Sequence, residues 1–274
     1  MRATFLGVST ILLDDGETAI MTDGFFSRPS LLRTQVRPIG PDEPVITECL
    51  NRAGVRHLAA VLVAHSHYDH AMDSPSVARR TGAVMVGSRS TALIGEGYGL
   101  PPEQTRVVGF GETLRFGAFE VTALPAEHTP KPRYVGHIGH PVRPPASIRA
   151  YRMGECYSFH VRHPEGSLIV HASTNFVPGA HAAHQADVVY LGVATLGRQS
   201  ESFRRDYWQA MVRDTGVRRV VPIHWDNFFK PLNRPLVPLP RLADNFDATL
   251  EFLRSHPETD LHVPSAWETI DPFA

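Results

Sequence analysis

The chain has 274 residues, 42% of them hydrophobic, so it can bury a substantial core, and 27 basic against 28 acidic side chains leave no net charge that would commit it to nucleic acid or an anionic membrane. Its apolar runs fall short of the ~20 residues that cross a bilayer, and Asp14-Asp15 come too soon for a secretory hydrophobic region, so a cytoplasmic location is expected. Cys49 and Cys156 are far apart and offer no disulfide framework, and no linker interrupts 1–274, which predicts a single domain.

In chain order, the pattern predicts strands at 3–8, 11–14 and 18–22, the last two as a hairpin closing on Thr22-Asp23-Gly24, then a helix at 44–53 with Cys49 as a core thiol. An apolar strand at 58–64 runs directly into His65-Ser66-His67-Tyr68-Asp69-His70. Side chains two apart on an extended chain point the same way, so His65 and His67 can grip one ion together. Ser74 and Pro75 form a helix-start signal, which predicts a turn that swings Asp69 and His70 towards a neighbouring position. Three imidazoles and a carboxylate in six residues call for a cation to organise them, with Zn2+ the first choice and Mn2+ or Fe2+ also compatible.

Helices follow at 75–81 and 88–94, with strands at 83–86, 106–108, 112–116 and 119–124; the last points towards His128. Further strands are predicted at 147–152, 156–162, 168–171, 188–191 and 217–223, the last delivering His224, with another at 261–263 and helices at 202–215 and 239–256. Phe203, Tyr207 and Trp208 at helical spacing suit either core packing or a homo-oligomer interface. Hairpins followed by alternating strands and helices, twice over, predict an α/β protein with two stacked sheets and helices outside.

These motifs resemble the metallo-beta-lactamase superfamily of metal-dependent hydrolases, in order and in placement at strand ends. The resemblance rests on Phe5 to Ser9, Ala19 to Gly24, the HxHxDH segment, Leu124 to His128, Ile169 to Phe176 and Val220 to Trp225. It is nearest in look to the branch of ascorbate-phosphate lactonases and N-acyl-phosphatidylethanolamine phospholipase D-like proteins. The resemblance implies a four-layer αββα sandwich of two mixed β-sheets flanked by helices. It also implies one or two divalent metal ions, the first held by His65, His67 and His128 and the second by Asp69, His70 and His224. Asp69 and His224 would be the catalytic pair, and Asp23 the carboxylate behind the ligands that fixes an imidazole tautomer.

One departure stands out: the family's bridging Asp corresponds to Ser173 here, and a hydroxyl cannot offset the repulsion between two dications only ~3.5 to 4 Å apart. His171, Glu127 or Asp226 could compensate. The implied chemistry is hydrolysis of an ester, lactone or phosphoester by metal-activated water. A redox enzyme on the same scaffold and a metal-holding but inactive protein are the alternatives.

Charge is unevenly placed. Residues 25–40 carry Arg28, Arg33 and Arg37 without an acid, residues 129–150 carry Lys131, Arg133, Arg143 and Arg149 without an acid, and Lys230 and Arg234 follow His224. Placed around the metal edge of the sheets, these side chains, Lys131 and Arg133 foremost, would favour a small anionic substrate. The proline-rich pieces 130–145 and 231–240 follow ligand candidates and are expected to form the rim of the site.

Overall fold

The computed structural model describes residues 1–274. Two seven-stranded sheets form its centre. The first is built from β1 (Arg2–Phe5), β2 (Ile11–Asp14), β3 (Ala19–Thr22), β4 (Ala60–Leu62), β5 (Val84–Gly87) and β6 (Thr105–Val107). The second takes β7 (Thr113–Phe116), β8 (Phe119–Ala126), β9 (Cys156–His163), β10 (Gly166–His171), β11 (Val188–Gly192), β12 (Arg219–Ile223) and β13 (Asp260–Leu261). The chain then returns to the first sheet, where β14 (Thr269–Ile270) pairs antiparallel with β1. Strand orders are β14-β1-β2-β3-β4-β5-β6 and β13-β12-β11-β10-β9-β8-β7, each mixing antiparallel hairpins with parallel pairs.

Period-two alternation sorts the first sheet's side chains between two cores. Ile11, Leu13, Ile20 and Leu62 join Phe119, Val121, Leu168 and Val188 between the sheets. Leu12, Met21, Val61 and Val63 face the other way, onto α2 (Glu43–Arg52), α4 (Ser74–Thr81) and α5 (Arg89–Tyr98) through Ile46, Leu50, Val77 and Ile94. The second sheet is covered by α6 (Glu201–Trp208) and α7 (Phe246–Arg254), whose Tyr207, Trp208 and Leu253 pack on its outer face, the side that carries Ile169 and Val189. Helices therefore flank both sheets, giving four layers. Tyr207 and Trp208 are buried here, so the oligomer reading of those aromatics loses two of its three residues. Cys49 lies on the buried face of α2, and burial pushes its thiol up to about 12. No helix is long and apolar enough to cross a membrane.

Three expectations are corrected. The strand predicted at 147–152 is a 3-10 turn, Ile148–Ala150, opened by the Ser147 hydroxyl accepting from the Arg149 amide; the buried residues Ile148 and Tyr151 are three apart, which suits a turn and not a strand. The helix predicted at 239–256 exists only as α7, because Asn245 caps its start by accepting from the Ala248 amide, and the preceding Leu242 is 93% exposed. The helix at 202–215 is α6 followed by a π turn, Gln209–Arg213, which brings Met211 and Val212 to the core. Two short helices, α1 (Leu31–Val36) and α3 (Tyr68–Ala71), were not expected. α3 is the turn between His67 and Ser74. Ser74 is the first residue of α4, with Asp73 at the cap position, and its hydroxyl donates to the carbonyls of Asp23 and His70.

Candidate metal centre

β4 lies between β3 and β5, parallel to both, and its C-terminal end feeds His65 and His67 to the edge of the first sheet. The single turn of α3 then carries Asp69 and His70 sideways, so four donors from one six-residue segment face two adjacent positions. Asp23, at the end of neighbouring β3, is wholly buried and adopts a left-handed backbone (φ 53°). Its Oδ1 accepts the Ala64 amide at 2.8 Å, and its Oδ2 accepts from the Ser9 hydroxyl and from His70 Nδ1, the latter at 2.8 Å. That bond leaves His70 Nε2 with its lone pair facing Asp69 and His224.

The second sheet supplies the remaining donors. His128 follows β8 and His224 follows β12, the latter again left-handed (φ 57°) with its amide donating to Val8 O at 2.6 Å. The result is two sets of three. The ligand atoms of His65, His67 and His128 lie within 4.8 Å of one another, as do those of Asp69, His70 and His224. The sets adjoin, with the His65 and His70 ring centroids 3.9 Å apart.

The hydrogen bonds around the first set bear on what it can hold. His67 Nε2 donates to Arg133 O at 3.0 Å and His128 Nδ1 donates to Thr129 O at 3.1 Å. Each neutral ring has then spent its one proton. His67 Nδ1 and His128 Nε2 nevertheless face each other at 3.1 Å, and His65 Nε2 stands 3.2 Å from His67 Nδ1. Converging lone pairs repel unless a cation sits between them, and tetrahedral zinc with Zn–N of ~2.0 to 2.1 Å places its nitrogens at about this spacing. The residues thus fit a bound divalent ion.

Electrostatics agree for the first set. Burial holds His65 well below the ordinary imidazole value, with the neighbouring imidazoles adding to the effect, and burial with His67 takes His128 down to about 4. These rings are kept neutral, as metal ligation requires. Burial alone would raise Asp69, but His70 and His224 outweigh it and hold the carboxyl well below its usual range. Burial would lower His70, yet Asp23 and Asp69 raise it, so this position favours positive charge. In the second set, Asp69 Oδ2 is 3.7 Å from His70 Nε2 and 3.4 Å from His224 Nε2.

Both sets open onto a cavity of about 320 Å³ whose wall includes Tyr68, Tyr134, Phe228 and Leu239. Ser173, Lys131 and Arg133 line it as well. Several sequence candidates lie elsewhere. His171 is wholly buried with both nitrogens engaged, Nδ1 with the Ser158 hydroxyl and Nε2 donating to Asn175 O at 2.6 Å, so it does not stand in for the missing carboxylate. Asp226 is consumed by a buried ion pair with Arg28 and by the Val8 amide. Glu127 accepts from the Asn175 amide group. Arg28, paired behind the site, is therefore not a rim residue, and Arg37 and Arg149 line a separate cavity. Of the proline-rich pieces, 130–145 contributes Pro130 to Tyr134 to the wall, whereas 231–240 contributes only Leu239.

Sequence reasoning missed the aromatic wall, Ser9, and the Ser158–His181 pair. Phe228-Phe229, four residues after His224, was the available signal for the first. The others depend on contacts remote in sequence.

Residues 18–225 match the family described as Beta-lactamase superfamily domain. A protein from Oenococcus oeni named a metal-dependent hydrolase is 24% identical over 233 residues, covering 83% of this chain and 87% of the relative. Another of that name from Pyrobaculum arsenaticum is 28% identical over 130 residues, 47% of this chain; the chain spans about half (51%) of that relative's length. Among solved structures, the metallo-beta-lactamase fold protein YhfI from Bacillus subtilis superposes with a TM-score of 0.57 at 14% identity, covering 98% of both chains. A likeness at that identity is one of fold, and it is the four-layer arrangement described above. With three quarters of its length matched and both donor sets inside or at the edge of that match, the chain belongs to the beta-lactamase superfamily.

Proposed function

We propose that the chain, acting as one unit over 1–274, is a metal-dependent hydrolase. It would hold one or two divalent ions, zinc foremost, and cleave an ester, lactone or phosphoester of a small anionic substrate. The observation that carries this reading is the pair of adjoining donor sets at the floor of a cavity of about 320 Å³. When bound, such ions bring the pKa of water towards ~7 and polarise a carbonyl or phosphoryl oxygen.

The chain's own groups do the rest. Asp69, held anionic, would accept the proton of the attacking water, and His224, with Nε2 3.4 Å from that carboxylate, would relay that proton to the leaving group when the more weakly held second ion is absent. Asp23 and Ser9 fix the His70 ring, and the Arg133 carbonyl fixes His67. Tyr68 and Phe228 keep bulk water from the floor, while Lys131 and Arg133 attract the anionic group. With Ser173 in place of a bridging carboxylate, the first ion binds more tightly than the second.

Metal quantification alongside a panel of ester, lactone and phosphodiester reporters tests the reading, with His65→Ala as the comparison. Zinc with turnover in the parent, both lost in the variant, is the expected result. Turnover that survives His65→Ala, or iron without any turnover, overturns it.

A further inference from the structure

The two acid-free, arginine-bearing loops are far apart in sequence, yet the fold stitches them together. Ile39 and Ala146 exchange both backbone hydrogen bonds at 2.8 Å as an isolated antiparallel bridge, and Ile39 is wholly buried. Gly40 lies so close that a Cβ there would stand 3.1 Å from Pro144 Cβ, which keeps the loops in contact. Beside this stitch opens a cavity of about 310 Å³ lined by Thr34, Gln35, Arg37, Ser147 and Arg149, with Tyr134 on one side. Its lining offers two guanidiniums, three hydroxyls and an amide, and no carboxylate.

Tyr134 also lines the cavity over the metal centre. It directly follows Arg133, whose carbonyl receives the His67 N–H, and its own backbone is left-handed (φ 50°). One tyrosine thus has ion-holding imidazoles on one side and uncompensated cationic donors on the other. Guanidinium groups present paired donors that match phosphate and carboxylate oxygens, and two of them without an acid are best satisfied by an oxyanion. The cavity falls at the lower end of the ~300 to 1,000 Å³ typical of small-ligand pockets.

We propose that Arg37 and Arg149 form a distal oxyanion subsite that holds an unreacted terminal phosphate or carboxylate of the substrate while its scissile bond lies on the metal side of Tyr134. The assignment of that anion to a substrate rests on the hydrolase reading; the anion site itself does not. The substrate class is an ester or lactone with a second, anionic end.

Inorganic phosphate is the binding probe, titrated by calorimetry into the metal-loaded parent, Arg37→Met, Arg149→Met and His65→Ala. Both arginines are exposed, so folding is expected to be unchanged, and melting curves check this. Phosphate binding weakens about tenfold or more in either arginine variant and persists in His65→Ala, as loss of a charged hydrogen-bond donor implies. In turnover, the KM of p-nitrophenyl hydrogen glutarate rises about tenfold or more in the arginine variants with kcat kept, whereas neutral p-nitrophenyl butyrate is unaffected. Phosphate binding that follows His65→Ala and ignores the arginines overturns the subsite, as does an equal KM rise for both esters. Phosphate binding lost with the arginines, but no turnover by the parent of either ester or of any lactone or phosphodiester reporter in the panel above, upholds the anion site and overturns the hydrolase reading.

Discussion

The amide of His224 donates to the carbonyl of Val8 at 2.6 Å, and the amide of Val8 donates to Asp226 Oδ1 at 2.8 Å, so the turn after β1 clasps the segment after β12 from both sides. Val8 (φ 53°) and His224 (φ 57°) both hold left-handed backbones, which a β-branched residue rarely adopts. Arg28 completes the clasp through its buried ion pair with Asp226 and a bond to Lys230 O at 3.1 Å.

Removing the cation alone would leave a buried carboxylate without compensation. Arg28→Met is therefore expected to cost about 3 to 5 kcal/mol, and adding Asp226→Asn should restore part of that loss. Urea denaturation of the single and double variants measures both; a loss below about 1 kcal/mol in Arg28→Met would show that the pair is not under this constraint.

Asp23 acts on the second donor set through His70. Asp23→Asn keeps an acceptor for one amide but loses the carboxylate that orients and polarises the ring. Affinity for the second ion should fall roughly 10- to 100-fold, with the first nearly unchanged. Stepwise metal titration against a chromogenic chelator separates the two, and equal loss at both sets would contradict the assignment.

Ser173 faces the cavity where a carboxylate would offset the charge of two ions. In the parent, the second equivalent of zinc should dissociate at a lower chelator concentration than the first. Ser173→Asp should narrow that gap. Two equally tight equivalents in the parent would remove the argument.

Away from the metal centre, His171 and His181 share the Ser158 hydroxyl inside the second sheet, and burial, helped by neighbouring imidazoles, takes them down to about 3 and about 4. An unfolded chain protonates these rings near pH 6.5, whereas the folded protein does not until about pH 4 or below. Their contribution is fully present above pH 6.5 and is lost as pH falls through that window, about 3 kcal/mol for His181 alone. His181→Asn keeps a donor for Ser158 and removes the titration, so its melting temperature should fall less steeply from pH 6.5 to 4. Parallel slopes for parent and variant would count against it.

How much of this was legible depended on sequence distance. The gathering of His65, His67, Asp69 and His70 could be read because all four lie within six residues just past the end of β4, and that of His128 and His224 because each follows an apolar strand. The sheet layers followed from period-two alternation, as with Leu12 against Ile11 and Leu13. Arg28 was misassigned because its partner Asp226 lies 198 residues away, and an arginine among uncharged neighbours looks like a surface residue until that acid is found. His171 failed for a related reason: strand parity gives a face, but not that Ser158 and Asn175 O already occupy its nitrogens. The 3-10 turn at Ile148–Ala150 was missed because Ser147, Ile148, Arg149 and Ala150 alternate polar and apolar as a short strand would.

Each donor set draws two residues from the first sheet's edge and one from the second's. During synthesis, four of the six donors emerge within the first 70 residues, but neither trio closes until a much later strand arrives, at His128 and then at His224. The nascent chain therefore cannot capture its full complement of ions early. Ion loading reports that the two halves have met, and an ion once bound acts as a rivet between them.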